Sequence, residues 1–463
     1  MAPSSIAGNR ITIVGGARSG QAAVRLLGDA GAQLFLTEQG PPSDAVLDVL
    51  QQYDAAYEFN GHSNLALDAN IMVLSPGVPS TAPLVQQAKE RGIQVVSEIE
   101  MASWFCDAPI VAITGTNGKT TTTELTGHVL RSTLSDDTER RVIVAGNIGI
   151  PFSDHAAAAR PNDIVVLEVS SFQLDHVDAF QPRVSVLLNI TPDHLDRYGG
   201  DVDAYAASKA RIMAQQKAGD AVIYNADDER VAAAVHQAHP DSAAARPNVY
   251  GFSQQAPLQQ GLYVSDGQLW LRQDGATDIS LFETRHIALR GRHNRYNAMA
   301  ATLVAVAFGV PIDTTRRALQ SFEGVPHRLE AVRTHRGVLY VNDSKATNVE
   351  AVWYALESFQ RPVVLIAGGR DKGNDYAPLK PLVRAGVRTV IALGESADTV
   401  MRELGPQAEA CVHATSMRDA VAHAQRLAEP GDAVLLSPAC SSFDMYANYE
   451  ERGDVFRRLV QAL

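Results

Sequence analysis

At 463 residues the chain exceeds what one ordinary core holds and suggests two to four domains. Its 46% hydrophobic and 20% charged residues describe a globular protein with no apolar run long enough to span a bilayer, and its net charge of −12 argues against a nucleic-acid partner. The cysteines Cys106, Cys411 and Cys440 lie too far apart to form a metal-ligand pair, and MAPSSIAGNR carries no export pattern, so reduced thiols and the cytoplasm are expected.

Ile11 to Val14 reads as a buried strand, followed by the glycine turn GGARSG and an Ala/Leu-rich helix. The next strand, Gln33 to Leu36, ends at Thr37 and Glu38. Together these open a dinucleotide-type βαβ unit, with Glu38 where an acid would meet a ribose hydroxyl. Ala17 replaces the second glycine of that fingerprint, which weakens an NAD-enzyme reading. Further on, Ser75, Pro76 and Gly77 end the strand-like IMVL. They either turn the chain or line the crevice at the carboxyl ends of a parallel sheet.

The stretch Ile110 to Thr121, IVAITGTNGKTT, is a phosphate cradle in sequence form. Gly115, Thr116, Asn117 and Gly118 make a tight turn whose amides can point inward, and a helix N-terminus follows. Lys119 would reach phosphates and Thr120 would offer its hydroxyl to Mg²⁺, with Thr121 next in the helix. Ile113 stands where the general pattern has its first glycine. A plain strand-to-helix turn would explain the glycines, though not the lysine, the threonines and the strand together.

Glu168 closes the apolar run Ile164 to Leu167, a placement suited to a Mg²⁺ ligand downstream of a phosphate loop. His194 sits in TPDHLD between two acids. Lys209, in AYAASKARIM, looks like an ordinary solvated lysine. Asn294 and Asn297 share one side of an alanine-rich helix and could cap it or contact a base. FEGVPHRLE reads as an interdomain connector with Arg328 beside it. Beyond it, strand ends carry Asp343, Ser344, Lys345, Thr347 and Asn348, then Arg370, Asp371 and Lys372, then Ser437, Ser441 and Ser442. So many polar ends point to a common cleft.

Taken in order, GTNGKTT, the glycine-flanked Asn147, LEVSSFQL, NITPDHLDRYG, SKARI, GRHNRYNAMAA, GVPHRLE, NDSKATN, AGGRDKG and SPACSSFDMYANYEERG resemble the Mur ligases of peptidoglycan synthesis, nearest to their D-glutamate-adding members. The resemblance implies an α/β protein of three domains: a Rossmann-like UDP-sugar domain over residues 1–107, a central P-loop ATPase-like domain over 108–324, and a Rossmann-like amino-acid domain over 325–463. It implies an ATP-dependent ligase that joins D-glutamate to UDP-N-acetylmuramoyl-L-alanine through an acyl phosphate and a tetrahedral intermediate. A sister amide ligase, or one that adds L-glutamate, is the alternative.

By the same resemblance, the loop from Gly115 to Thr121, Asn297, Arg328 and Asp343 bind ATP. Thr120, Glu168, His194 and a carbamylated, CO₂-modified Lys209 serve two Mg²⁺ ions. The UDP-sugar falls to Gly16, Arg18, Ser19, Thr37, Glu38, Ser75, Pro76, Gly77 and Asn147, and D-glutamate to Lys345, Thr347, Lys372, Ser442, Phe443 and Tyr449. A monomer that closes its domains around these small molecules, without nucleic acid or membrane, is expected. Two departures stand out. Thr37-Glu38-Gln39 replaces an Asp-Thr-Arg run found in a well-studied branch, leaving Arg18 as the candidate to supply the lost charge, and Arg370 stands where some members carry an acid.

Overall fold

The computed structural model describes residues 6–134, 139–147, 149–193, 195–240, 246–273, 277–289, 291–371 and 373–463. They form two compact units, Met1–Ala288 with Tyr296–Phe322, and Leu289–Arg295 with Glu323–Leu463.

The first unit holds two sheets. One is built from β1 (Arg10–Val14), β2 (Gln33–Thr37), β3 (Ala56–Glu58), β4 (Ile71–Leu74) and β5 (Gln94–Ser97), all parallel in the order β3-β2-β1-β4-β5. Its first helix, Arg18–Asp29, packs so close to β1 that a Cβ on Gly20 would lie 1.8 Å from the Gly15 carbonyl, so only glycine fits there.

The other sheet comprises β6 (Ile110–Thr114), β7 (Val142–Gly146), β8 (Ile164–Glu168), β9 (Val184–Leu187), β10 (Ala221–Asn225), β11 (Asn248–Ser253), β12 (Gly261–Ser265), β13 (Gln268–Arg272) and β14 (Ile279–Glu283). Their order is β14-β13-β12-β11-β10-β9-β6-β8-β7. Wholly buried β6 and β8 lie side by side between β9 and the edge strand β7, covered on both faces as their unbroken apolar runs require. The last two strands turn antiparallel, β13 alternating buried and half-buried positions and the edge strand β14 left largely open.

The short helix Glu98–Ser103 ties the two sheets' domains together. The Glu100 carboxylate accepts hydrogen bonds from Trp104 Nε1 and from the amides of Asp178, Ala179 and Phe180, while Glu98 accepts from the amide and hydroxyl of Ser153. Both acids are about 1% exposed, and charges are buried at this depth only when their lone pairs are satisfied.

The second unit has one sheet, of β15 (Glu330–His335), β16 (Val338–Asn342), β17 (Val363–Ala367), β18 (Val387–Leu393), β19 (Ala410–Ala414) and β20 (Ala433–Leu436), ordered β15-β16-β20-β17-β18-β19. All its neighbours are parallel except β15, an antiparallel edge strand that hairpins onto β16. The sequence reading missed β15, because EAVRTH is polar and has no buried run to announce it. Among the described residues no helix is long and apolar enough to cross a membrane.

Candidate active site

At the end of β6 the chain enters the glycine loop. Gly118 caps the following helix, Lys119–Arg131, with φ +81, and a Cβ there would come within 2.6 Å of Asn297 Oδ1. Asn297, 3% exposed, thus stands beside the loop's tightest turn. Asn189 clamps the loop from the β9 side: its Oδ1 accepts from the Asn117 amide at 2.8 Å, and its Nδ2 donates to the Asn117 carbonyl at 3.0 Å. The Thr116 hydroxyl bonds to the Thr191 carbonyl and lies 3.3 Å from the Tyr205 hydroxyl.

Two lysines converge below the loop. Lys119 Nζ donates to the carbonyls of Gly115 and Thr116 at 2.9 and 2.7 Å, and Lys209 Nζ donates to the same Gly115 carbonyl at 2.8 Å. Lys209 is 1% exposed and lies 4.5 Å from the centre of the Tyr205 ring. Burial, and then the Lys119 charge, push its ammonium well below the ordinary lysine range; Asp193, Glu168 and Asp175 pull the other way and lose. A lysine that reads as solvated in sequence is therefore a buried amine.

On the other side, Glu168 Oε2 accepts from the Thr120 hydroxyl at 2.7 Å and Oε1 from Asn147 Nδ2 at 2.9 Å. Asn147 also donates its amide to the Glu168 carbonyl. Hydroxyl, carboxylate and carboxamide oxygens are hard donors of the kind Mg²⁺ takes, so these residues fit that ion. His194 lies outside the described residues, and among those described no cluster of three or more His, Cys, Asp or Glu side chains is preformed. Thr121, 7% exposed, sits in the helix behind Thr120.

A cavity of about 1160 Å³ opens between the first sheet's carboxyl ends and the loop after β7. Arg18, Ser19, Glu38, Ser75, Pro76, Gly77 and Asn147 all line it. Gly16 and Thr37 stand behind that lining. Gly16 donates its amide to Glu38 Oε2 at 2.7 Å, and Thr37 is wholly buried. Burial raises the Glu38 carboxyl, but amide bonds from Gly16, Gly40 and Gln39 outweigh it and hold the group below its usual range. Arg18 reaches across to the Gly149 carbonyl at 3.1 Å. His62 and Gln39 line the same cavity.

In the second unit, Asp343 follows β16, its Oδ2 taking the Ser437 hydroxyl at 2.7 Å and its Oδ1 the Leu329 amide at 3.2 Å. Arg328 lies between two residues of positive φ, His327 and Leu329. Lys345 Nζ lies 5.3 Å from the centre of the Tyr449 ring, and the Thr347 amide bonds the Lys345 carbonyl. Ser442 is buried and Phe443 is 62% exposed, while Lys372 lies outside the described residues. Arg452, which sequence reasoning passed over, is 2% exposed and binds the Ser344 hydroxyl, the Ser344 carbonyl and the Cys440 carbonyl. It staples two of the polar strand-end loops, and burial draws its pKa down to about 10.

Burial pushes the Asp343 carboxyl up to about 7, against the Ser437 hydroxyl, the Arg328 charge and the Leu329 amide. A raised carboxyl favours the folded state while protonated, so this stability is full below the unfolded value near 4 and is lost as pH rises through 7. Asp343→Asn, whose oxygen can still take the Leu329 amide while its NH₂ donates to the Ser437 hydroxyl, should therefore raise the melting temperature of the second unit by about 5 °C at alkaline pH, after a discount for the lost attraction to Arg328. The gain should shrink steadily toward pH 5. Calorimetry of both proteins across that range checks this, and a pH-independent difference would refute the assignment.

A glycine loop at a helix N-terminus on a mostly parallel nine-stranded sheet, joined to two further α/β sheets, defines the class of multidomain α/β proteins built around a phosphate-type loop. Residues 10–83 match the MurD N-terminal domain, 113–305 the Mur ligase middle domain and 327–440 the Mur ligase glutamate ligase domain. The chain is 59% identical, over the whole of both proteins, to the UDP-N-acetylmuramoylalanine–D-glutamate ligase of Salinibacter ruber. It is 44% identical, also over the full length of both, to that of Chloroherpeton thalassium. The UDP-N-acetylmuramate–alanine ligase of Thermotoga maritima shares its fold, with TM-score 0.58 at 17% identity over 98% of this chain and 99% of that one. The chain belongs to the Mur ligase family.

Proposed function

We propose that this protein joins D-glutamate to UDP-N-acetylmuramoyl-L-alanine at the expense of ATP, as a step of peptidoglycan precursor synthesis. The reaction is that of its full-length relatives in Salinibacter and Chloroherpeton, taken from their names. The observation that carries the residue roles is the Thr120–Glu168–Asn147 chain of hydrogen bonds, which runs from the phosphate loop to the wall of the first-domain cavity.

In this reading the substrate carboxylate attacks the γ-phosphorus of ATP, releasing ADP and leaving an acyl phosphate. The amine of D-glutamate then adds to the acyl carbon, and the tetrahedral intermediate expels phosphate. Every partner is anionic, so positioning and charge stabilisation dominate. Lys119 swings from its loop carbonyls to the transferring phosphoryl group, and the loop amides of Gly115 to Gly118 hold the neighbouring phosphates, with Thr121 behind them. Asn297 meets the adenine, and Arg328 and Asp343 contact ATP. Thr120, Glu168, His194 and Lys209 would hold two Mg²⁺ ions, which would supply Lewis-acid neutralisation of the phosphate charge. Burial favours the uncharged amine of Lys209, whose Nζ lone pair would add to CO₂ with loss of a proton and so turn a would-be cation into an anionic carbamate ligand.

Arg18, Ser19, Glu38, Ser75, Pro76, Gly77 and Asn147 meet the UDP-sugar, with Gly16 and Thr37 supporting them from behind. Lys345, Thr347, Lys372, Ser442, Phe443 and Tyr449 receive D-glutamate. The domain divisions at 107/108 and 324/325, action as a monomer and a cytoplasmic setting complete the reading. Phosphate release from ATP with UDP-N-acetylmuramoyl-L-alanine, Mg²⁺ and bicarbonate, assayed with D-glutamate, L-glutamate, glycine and L-lysine in turn, tests it. Release with D-glutamate alone is expected. Release with L-glutamate alone would keep the chemistry and overturn the specificity, and none with any amine would overturn the ligase.

A further inference from the structure

We propose that His62 reads the nucleotide base: its Nε2 accepts the N3–H of uracil and so selects a uridine over a cytidine nucleotide. The inference rests on the reading that the first-domain cavity takes the UDP part of the substrate. Thr37 Oγ1 lies 2.8 Å from Glu58 Oε1 and 2.7 Å from His62 Nδ1. A hydroxyl has one proton to give. Glu58 also accepts the Ser63 amide at 2.9 Å. Burial raises its carboxyl, but the Ser63 hydroxyl and amide and the Thr37 hydroxyl outweigh that and hold it below the usual range. Glu58 is thus an acceptor only, and the Thr37 proton must point to it, since oxygen lone pairs would otherwise face each other at 2.8 Å. The Thr37 oxygen is then left to accept, and His62 Nδ1 must donate. A neutral imidazole with its proton on Nδ1 keeps a lone pair on Nε2. His62 is exposed and lines the cavity, so that lone pair is the polar atom the ring offers to a ligand.

The cavity's two ends identify what His62 would meet. Asn147, bonded to Glu168 beside the phosphate loop, marks the end where the substrate carboxylate has to react. His62 follows β3, the outermost strand of the first sheet, on the edge opposite β5 and the helix that leads into the second domain. A nucleotide-sugar with its reacting end at Asn147 therefore sends its base toward β2 and β3. The Gly16 amide, a phosphate donor in other dinucleotide-type loops, is already taken by Glu38, which leaves this end suited to a base. Uracil presents an N–H at N3 where cytosine presents a lone pair, so an acceptor there discriminates between them. Gln39, also in the lining, can offer either an oxygen or an N–H and would not.

Calorimetric titration of the full chain with UDP and with CDP, near pH 8.5 where an ordinary imidazole is neutral, reads the preference directly. The native protein should favour UDP by about tenfold or more, one hydrogen bond made against one lost. His62→Ala should bring the ratio close to one chiefly by weakening UDP, and His62→Gln, whose amide can turn its oxygen to uracil or its NH₂ to cytosine, should leave the ratio close to one while binding both nucleotides more tightly than His62→Ala. Thr37→Val, which releases the ring's tautomer, should lower the ratio without removing the imidazole. Nitrogen-15 shifts of the His62 ring should report the proton on Nδ1. An unchanged ratio in His62→Ala, or a proton on Nε2, would overturn the assignment while UDP binding and turnover stand. No UDP binding by the native protein would instead overturn the cavity reading beneath it.

Discussion

Lys209→Met should lower D-glutamate-dependent phosphate release by about a thousandfold or more while the protein folds normally. Methionine has nearly the length of lysine and suits a site that is 1% exposed, so the substitution removes the amine without opening a cavity. Lysine pays a desolvation cost at this position, which its hydrogen bond to the Gly115 carbonyl and its place over the Tyr205 ring only partly offset. A purely structural lysine predicts a variant at least as stable and still active. A carbamylated one predicts a stable, inactive variant, because the anionic ligand beside Glu168 is gone. Two further readouts separate these. Native activity should fall in CO₂-depleted buffer and return with bicarbonate, and ¹³C-bicarbonate should give a carbamate resonance that Lys209→Met lacks. Activity within tenfold of native in the variant would sink the role given to Lys209.

The contrast between Lys209 and the phosphate loop shows what a sequence discloses. Glycine spacing, a preceding apolar strand and a following helix are local, so the cradle from Gly115 to Thr121 and the strand-end Glu168 were legible before any coordinates. The three α/β sheets were legible for the same reason, as unbroken apolar runs ending in polar loops. Lys209 was visible only through family resemblance, since nothing in AYAASKARIM says that this face of the helix is buried. The Asn189 clamp, the Thr37–Glu58–His62 relay and the Arg452 staple were not legible. Each rests on a tertiary contact between residues at least 21 positions apart. The antiparallel β15 escaped for the opposite reason: its residues are polar and its pairing with β16 is set by a tight turn rather than by a buried face.

Glu168→Gln is the second large effect expected, and it separates charge from shape. Glutamine matches glutamate in size, so packing at a site 2% exposed is preserved. The native carboxylate accepts from Thr120 on one oxygen and from Asn147 on the other. A carboxamide accepts only on its oxygen, but turned with that oxygen toward Asn147 its NH₂ can donate to the Thr120 hydroxyl, which accepts as well as it donates. The variant thus keeps both contacts at the junction of phosphate loop and sugar cavity and loses the negative charge that would hold Mg²⁺. If that charge is what the site needs, kcat should fall by about a hundredfold to a thousandfold, and half-maximal Mg²⁺ should rise by about tenfold or more. UDP affinity should hold, since the base end of the cavity lies at the far edge of the first sheet. A loss of kcat with native Mg²⁺ dependence would instead make Glu168 a positioning group for Asn147 and Thr120. Equal loss in Asn147→Ala, again at unchanged Mg²⁺ dependence, would then locate the defect in the sugar contact rather than in the phosphate loop.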